Sequence, residues 1–275
     1  MIASASLRFG MVGAGGIAQA YAQTFRDTDI ADLVAVADVR TESAEAIAQS
    51  IGAKSYASHE EMAEAENLDA VVVCTPPVTH RNICADLASH GLHVLCEKPL
   101  AIDSKSATEM FDAAVQNNVK LTMATKFRYA TDVIRAKSIV SSGILGDVIL
   151  FDNCFTGHVD MSQRWNSNPE ISGGGVLIGW KESKYRRSND TDWVQFGEGY
   201  NKFQAFRGQI ENFTRAIRGE DKLLVTPEDA LASVEVIETA YNSLHHSVWQ
   251  PVKHTKWQPK TANAETLVAA AGQVS

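Results

Sequence analysis

A glycine-rich hexapeptide, Gly-Ala-Gly-Gly-Ile-Ala at residues 13–18, has residue types suited to holding phosphate groups. An apolar run of strand-forming residues precedes it at 7–12, and a helix-like segment follows at 19–25. A strand, a glycine turn and a helix in this order are typical of dinucleotide sites. A glycine turn that merely joins a strand to a helix is the alternative, and the order of the elements favours the dinucleotide site.

The small residues of this turn have separate tasks. Gly13 allows the tight turn, and Gly15 allows a pyrophosphate to approach the backbone. Ala18 lets the helix pack closely on the strand. We expect the phosphates on the N–H groups at the positive end of the helix, which include those of Gly16 and Ile17.

Asp38 ends the next apolar run, at 33–37, and lies 25 positions after Gly13. A carboxylate near this spacing bonds the ribose hydroxyls of NAD and repels the 2′-phosphate of NADP. Arg40 could partly offset that repulsion by stacking or pairing with the phosphate. The sequence therefore predicts NAD as the cofactor, with NADP less favoured.

Thr75, Pro76 and Pro77 directly follow an apolar run at 70–74, and His80 comes soon after. Ligands bind at the carboxyl ends of strands in open parallel sheets. Because prolines lack N–H donors and stiffen a loop, a flat ring could lie against this one. His80 is either a ligand contact or a surface or capping histidine.

Glu97, Lys98 and Pro99 follow the apolar run 93–96 in the same way. We expect Lys98 to project into a cleft between domains, where a lysine can exchange a proton with a substrate hydroxyl. A solvated surface lysine is the alternative. The position at the carboxyl end of a strand favours the functional role.

Strand-like and helix-like segments alternate with short connections over residues 1–124, which predicts a parallel sheet with right-handed crossovers. Residues 125–255 contain the segments of an expected second α/β domain. Residues 256–275 lack a strong pattern, and we expect a flexible tail there.

The composition is globular, with 21% charged and 45% hydrophobic residues among 275. A net charge of −8 without a basic cluster argues against nucleic-acid binding.

No apolar run approaches the roughly 20 residues of a membrane span, and no signal segment is seen, so we expect a cytoplasmic protein. Cys74 and Cys96 end apolar runs, and the four cysteines lack metal-type spacing. We therefore expect reduced thiols and no bound metal.

Together these motifs resemble the Gfo/Idh/MocA oxidoreductases, and the likeness covers nearly the whole chain. The segments that carry it are 13–18, 75–80, 97–99, 126–129, 143–146, 173–178, 206–218 and 226–231. The resemblance implies an α/β fold, with an N-terminal Rossmann dinucleotide-binding domain and a C-terminal α/β domain built on an open sheet. It also implies NAD(P)-dependent hydride transfer at a hydroxyl-bearing carbon of a sugar, a sugar derivative or an inositol.

Roles for individual residues follow from the resemblance. Lys98 is expected to act as acid and base on the substrate hydroxyl, in contact with both substrate and cofactor, and Glu97 to orient the cofactor ribose. The further candidate substrate contacts are Arg128, Tyr129, Arg164 and Trp165. One face of the C-terminal sheet commonly mediates oligomers in the family, which makes a homo-oligomer the expected assembly.

The chain departs from the family pattern after Ile178. The family usually continues from Gly-Gly-Gly-x-x-x into Asp-x-Gly-x-His-x-x-Asp and several strands, whereas Gly179 and Trp180 follow here. We expect a shortened C-terminal domain and impaired catalysis. The gap is natural, engineered or a sequence error, and the sequence leaves all three open. A catalytically inactive nucleotide-binding sensor or partner subunit is the alternative function.

Overall fold

The computed structural model describes residues 5–147, 184–185, 192, 194–196, 199–246, 248–252 and 256–258. The chain divides into two compact units. The first contains residues 1–124 together with 210–275, and the second contains residues 125–209.

A six-stranded parallel sheet lies at the centre of the first unit. Its strands are β1 (Leu7–Val12), β2 (Ala31–Ala37), β3 (Lys54–Tyr56), β4 (Ala70–Val73), β5 (His93–Glu97) and β6 (Leu121–Ala124). They lie in the order β3-β2-β1-β4-β5-β6, and every pairing is parallel. The strand order reverses between β1 and β4, and ligands bind outside the carboxyl ends of the strands at such a reversal.

The helices of the two units begin and end close to glycine, proline and capping residues. They are α1 (Gly16–Phe25), α2 (Thr41–Ile51), α3 (His59–Ala65), α4 (Pro77–Ser89), α5 (Ser104–Gln116), α6 (Thr131–Ser141), α7 (Lys202–Ile217) and α8 (Pro227–His246). Ser58 caps α3 by accepting a hydrogen bond from the N–H of Glu61 over 3.1 Å. Among the described helices, none has the length and apolarity that a bilayer span requires.

Apolar strand residues form the core of the first unit. All four residues of β4 are buried, as expected for a strand with helices on both faces of the sheet. Phe9 of β1 packs against Phe25 of α1, with ring centroids 5.2 Å apart, and against Phe213 of α7 at 6.3 Å. The predicted α/β fold with an N-terminal Rossmann domain is confirmed.

The part of the chain after residue 209 also belongs to this first unit. Phe213 of this part packs on Phe9, as described above. In addition, the hydroxyl of Thr122 in β6 donates to the Val225 carbonyl oxygen over 2.8 Å. The expected domain 125–255 is therefore divided between the two units. The reason is that α7 and the segment after it bury side chains against the parallel sheet.

Trp257 packs on α5, within the segment expected to form a flexible tail. Its ring centroid lies 5.7 Å from that of Phe111, and its indole N–H donates to Asp112 Oδ1 over 3.3 Å. An apolar ring with a polar N–H thus ties residues 256–258 to the first unit.

The second unit contains a 3₁₀ turn (Lys126–Tyr129), α6 and the beginning of α7. Its described strands, β7 (Lys184–Tyr185) and β8 (Val194–Gln195), pair antiparallel. Phe127 packs against Tyr200 with ring centroids 4.9 Å apart. The junction after Ile178, where the sequence departs from the family pattern, lies outside the described residues.

Candidate nucleotide-binding and catalytic site

Gly13, directly after β1, is a position that only glycine can occupy. Its φ of +95° lies where L side chains are strained. A Cβ there would lie 2.8 Å from the carbonyl carbon of Cys74 and 2.9 Å from the backbone N of Thr75. Both neighbours are backbone atoms and cannot rotate away. The glycine turn and the end of β4 are therefore in direct contact.

The first turn of α1 presents an open surface. A Cβ added to Gly15 or to Gly16 would meet no atom within 4 Å. No side chain caps this end of the helix, and its first turn carries no acidic residue. The backbone N–H groups and the positive end of the helix dipole make such a helix start favourable for an anion.

Asp38, at the end of β2, is fixed to the glycine turn. Its Oδ2 accepts a hydrogen bond from the N–H of Ala14 over 2.6 Å, and its Oδ1 accepts one from the N–H of Arg40 over 2.8 Å. The Arg40 Nε lies 3.6 Å from Oδ1, on a side chain that is 67% exposed. Because each carboxylate oxygen has two lone pairs, Asp38 can accept further bonds while holding the turn.

The loop after β4 is stiffened where α4 begins. Pro76 is the N-cap of α4 and Pro77 its first residue. The Thr79 hydroxyl oxygen lies 2.8 Å from both Thr75 Oγ1 and the Pro76 carbonyl oxygen. These contacts and the fixed proline φ angles hold the loop in one shape.

His80, in the first turns of α4, is fully buried. Its Nε2 lies 2.8 Å from the Thr75 carbonyl oxygen, and its Nδ1 lies 3.1 Å from the carbonyl oxygens of Pro99 and Leu100. Burial lowers the pKa of His80, while these carbonyl oxygens act in the opposite direction. Both ring nitrogens thus face backbone carbonyl oxygens of the protein, and a ligand contact of His80 stays a prediction.

Glu97, the last residue of β5, is buried and connects α1 to the lysine that follows it. Its Oε1 accepts a hydrogen bond from the hydroxyl of Tyr21 over 3.0 Å, and its Oε2 accepts one from the N–H of Lys98 over 3.1 Å. The Lys98 side chain is exposed at the carboxyl end of the sheet. The structure thus fixes the backbone of Lys98 and leaves its ammonium group accessible.

Tyr21 is a site residue that sequence reasoning missed. It is fully buried on α1, in a helix of otherwise ordinary composition. Its partner Glu97 lies 76 positions further along the chain. The one feature of the sequence that could have indicated this role is that Tyr21 is a large polar aromatic residue among small residues, one turn after the glycine motif.

Two of the predicted substrate contacts, Arg128 and Tyr129, belong to the second unit. Arg128 is partly exposed in the 3₁₀ turn, whereas Tyr129 is buried. A Cβ at Gly208 would lie 3.3 Å from the Tyr129 Cβ, so α7 packs closely on this tyrosine. Arg164 and Trp165 lie outside the described residues. These assignments stay predictions.

Three cysteines of the described residues, Cys74, Cys84 and Cys96, carry free thiols, as expected. Burial raises the pKa of the Cys74 and Cys96 thiols, and the neighbouring charge of Glu97 adds to this effect. Both thiols are therefore protonated at neutral pH, with Cys96 buried and Cys74 half-buried.

Comparison with known proteins agrees with this geometry. Residues 7–125 match the Gfo/Idh/MocA family, described as an oxidoreductase family with an NAD-binding Rossmann fold. An uncharacterised oxidoreductase of Streptococcus pneumoniae is 31% identical over 192 residues, which cover 69% of this chain and 50% of that protein. Glucose-6-phosphate 3-dehydrogenase of Bacillus subtilis is 32% identical over 142 residues, covering 52% of this chain and 40% of that enzyme.

The structure of an NAD-binding oxidoreductase from Klebsiella pneumoniae superposes with a TM-score of 0.79 at 19% identity, covering 92% of this chain and all of that one. This likeness concerns the fold. In sequence, the chain spans about half the length of the curated relatives it matches. Residues 7–125 therefore belong to the Gfo/Idh/MocA oxidoreductase family, as its NAD-binding Rossmann fold.

Proposed function

We propose that this chain is an NAD(P)-dependent dehydrogenase acting on a hydroxyl-bearing carbon of a sugar, a sugar derivative or an inositol. The observation that carries the proposal is the exposed Lys98 at the carboxyl end of β5, two strands from the glycine turn after β1. The similarity to a glucose-6-phosphate 3-dehydrogenase supports the substrate class.

The residues after β1 and β2 fit a dinucleotide. The open space at Gly15 and Gly16 and the uncapped start of α1, which includes Ile17, suit a pyrophosphate. Asp38 suits the ribose hydroxyls and disfavours a 2′-phosphate, so we propose NAD as the preferred cofactor. The exposed Arg40 reduces this preference, because its guanidinium can pair with a phosphate.

Thr75 and Pro76, which are partly exposed, offer a stiff surface for a flat ring at the same edge of the sheet, and the buried Pro77 holds the loop behind them. When bound there, NAD supplies the acceptor for the hydride that leaves the substrate carbon. Lys98 takes the proton of the substrate hydroxyl during oxidation and returns it during reduction. Glu97 holds the Lys98 backbone and orients the cofactor ribose.

We further propose that catalysis by this chain is weaker than in its longer relatives. The sequence contains no His-x-x-Asp segment, so Lys98 acts without the histidine that the family uses. Loss of one positioned proton-transfer group lowers the rate by about 10²–10⁴-fold. The same observations favour a second candidate function, a nucleotide-binding sensor or partner subunit that does not turn over, because the nucleotide-binding turn is complete.

The test measures binding and turnover on the same preparation. NADH binding is followed by its fluorescence, and NAD reduction is followed across a panel of sugars, sugar phosphates and inositols. Lys98→Met is expected to abolish turnover and to leave NADH affinity within a few-fold. Lys105→Met, an exposed lysine on α5, is the matched control and is expected to keep both properties.

Each outcome separates the two functions. Weak turnover that depends on Lys98 supports the dehydrogenase. NADH binding without turnover on any member of the panel supports the sensor or partner subunit. Full turnover by Lys98→Met on a substrate that the parent oxidises would remove Lys98 from the mechanism.

A further inference from the structure

His80 is a buried titratable side chain for which the proposed chemistry has no direct use. It belongs to α4, and its ring nitrogens contact both the loop directly before this helix and a second loop about 20 positions further along the chain. One loop follows β4 and contributes the carbonyl oxygen of Thr75. The other follows Lys98 and contributes the carbonyl oxygens of Pro99 and Leu100.

The two ring nitrogens have separate partners. Nε2 faces Thr75, whereas Nδ1 faces the segment after the lysine, at 3.1 Å from each of two carbonyl oxygens. A carbonyl oxygen only accepts, so a ring nitrogen must carry a proton to bond it. Nδ1 faces two acceptors and Nε2 faces one at a shorter distance, so a proton on either nitrogen finds a carbonyl oxygen to bond.

We propose that His80 is a positioning residue that holds the segment after Lys98 through its Nδ1–H and so fixes the direction in which the Lys98 side chain leaves the sheet. The backbone of Lys98 is then held on both sides. Glu97 accepts the Lys98 N–H on one side, and His80 donates to the next two carbonyls on the other. The catalytic consequence of this arrangement rests on the proposed function of Lys98.

Two substitutions by amide side chains test the two ring nitrogens of His80 separately. In His80→Asn the side-chain NH₂ takes the place of Nδ1 and can still donate to Pro99 and Leu100. In His80→Gln the NH₂ takes the place of Nε2 and can donate to Thr75, while the bond to the lysine segment is lost. Both variants bury one neutral amide, so they share the cost of a polar group in the core.

Amide hydrogen exchange of residues 97–101 is the readout that does not depend on turnover. We expect His80→Asn to exchange there at a rate close to the parent, and His80→Gln to exchange at least tenfold faster. Equal exchange in the two variants would overturn the proposal. His90→Gln, at the exposed C-terminal end of α4, is the control and is expected to leave this segment unchanged.

Turnover gives the second readout. A displacement of about 1 Å in a catalytic group lowers the rate by up to about 10²-fold, so His80→Gln is expected to lower kcat by about 10- to 100-fold with KM for NAD within a few-fold. His80→Asn is expected to recover most of this loss. If Lys98→Met leaves turnover intact, the proposed function fails, while the exchange experiment still decides the role of His80.

The parent protein offers a direct test that does not require a variant to fold. The ¹⁵N chemical shifts of the His80 ring report which nitrogen carries a proton. We expect a protonated Nδ1. A bare Nδ1 in the folded protein would overturn the proposal, because the ring could then donate nothing to Pro99 and Leu100.

Discussion

The hydroxyl of Tyr21 donates to Glu97 Oε1 over 3.0 Å, and this bond joins the helix that follows the glycine turn to the residue before the candidate catalytic lysine. Both side chains are buried, Tyr21 completely. A hydrogen bond to a buried carboxylate is strong and costly to remove, since the charge loses a donor in a region of low dielectric. The two halves of the candidate site are therefore coupled through the core.

Tyr21→Phe removes this hydroxyl and keeps the ring. We expect it to destabilise the protein by about 1–3 kcal/mol, because the Glu97 carboxylate loses a donor while remaining buried. Urea unfolding measures the change. Tyr241→Phe, on a partly exposed position of α8, is the matched control. Equal stability of the parent and Tyr21→Phe would mean that the Glu97 carboxylate does not depend on this hydroxyl.

Two glycine substitutions separate folding from nucleotide binding. Gly13→Ala places a Cβ 2.8 Å from backbone atoms of Cys74 at a φ of +95°, so we expect a loss of about 1–3 kcal/mol in stability. Gly15→Ala meets no atom of the described residues within 4 Å and is expected to fold with a stability within about 1 kcal/mol of the parent. Its methyl group occupies the space proposed for the pyrophosphate, so NADH affinity should fall sharply.

Thermal unfolding and NADH fluorescence on both glycine variants check this pair. A Gly15→Ala protein that binds NADH as tightly as the parent would remove the phosphates from this turn. A Gly13→Ala protein of unchanged stability would contradict the close contact between the turn and the end of β4.

The cofactor preference tests Asp38. We expect the parent to bind NADH at least tenfold more tightly than NADPH, about 1.4 kcal/mol, because the carboxylate repels a 2′-phosphate. Asp38→Asn removes the charge and keeps one acceptor oxygen, which can serve the N–H of Ala14 while the bond from the N–H of Arg40 is lost, and the preference should shrink. Titration calorimetry with both cofactors measures it. Tighter binding of NADPH by the parent would contradict this role.

Much of this site was predictable from local sequence. The glycine turn, Asp38 and Lys98 all lie where an apolar strand ends, and the alternation of strands and helices predicts that these ends share one edge of a sheet. Gly13 shows the limit of such reasoning. Its tight turn was predicted, but its contact with Cys74 depends on the pairing of β1 with β4.

The parts that were not predictable depend on contacts between distant segments. His80 could be a ligand contact or a surface histidine in the sequence, and its actual partners lie on a loop about 20 positions further along the chain. Likewise, nothing in the sequence near Phe213 indicates that it packs on Phe9 of β1. Such contacts are set by the packing of whole elements, so a local pattern does not contain them.

We expect the free energy of unfolding to fall at acidic pH when Glu66 becomes protonated. Hydrogen bonds from Lys54 Nζ and the Tyr56 hydroxyl, each 2.6 Å long, lower the pKa of this nearly buried carboxyl. Burial, together with the hydrogen bond to Glu66, raises the pKa of Tyr56 to about 12. A carboxyl whose folded pKa is lowered contributes stability above its unfolded pKa of about 4.3, and this contribution is lost as the pH falls through the folded value.

Glu66→Gln tests this dependence. At pH 7 the variant should be less stable than the parent by about 1–3 kcal/mol, since the charged acceptor for Lys54 and Arg8 is gone. The difference should shrink as the pH is lowered below about 4, where the parent carboxyl becomes protonated. Urea unfolding at several pH values measures it, and a difference that stays constant with pH would rule out the carboxylate as its source.

Hydrogen exchange should separate the strands of the first unit from α6 of the second. All four residues of β4 are buried and paired on both sides, with β1 and with β5. In α6, Asp132 is the one buried residue, and the apolar Ile134 and Val140 are each 48% exposed. Few buried contacts and solvent-exposed backbone bonds permit local opening without global unfolding.

We therefore expect the amides of Ala70–Val73 to exchange only through global unfolding, and those of Thr131–Ser141 to exchange much faster. Urea at low concentration should leave the exchange of α6 unchanged and accelerate that of β4, because only global unfolding exposes a large surface. Equal protection of the two elements would mean that α6 is covered by an interaction that the described residues do not include.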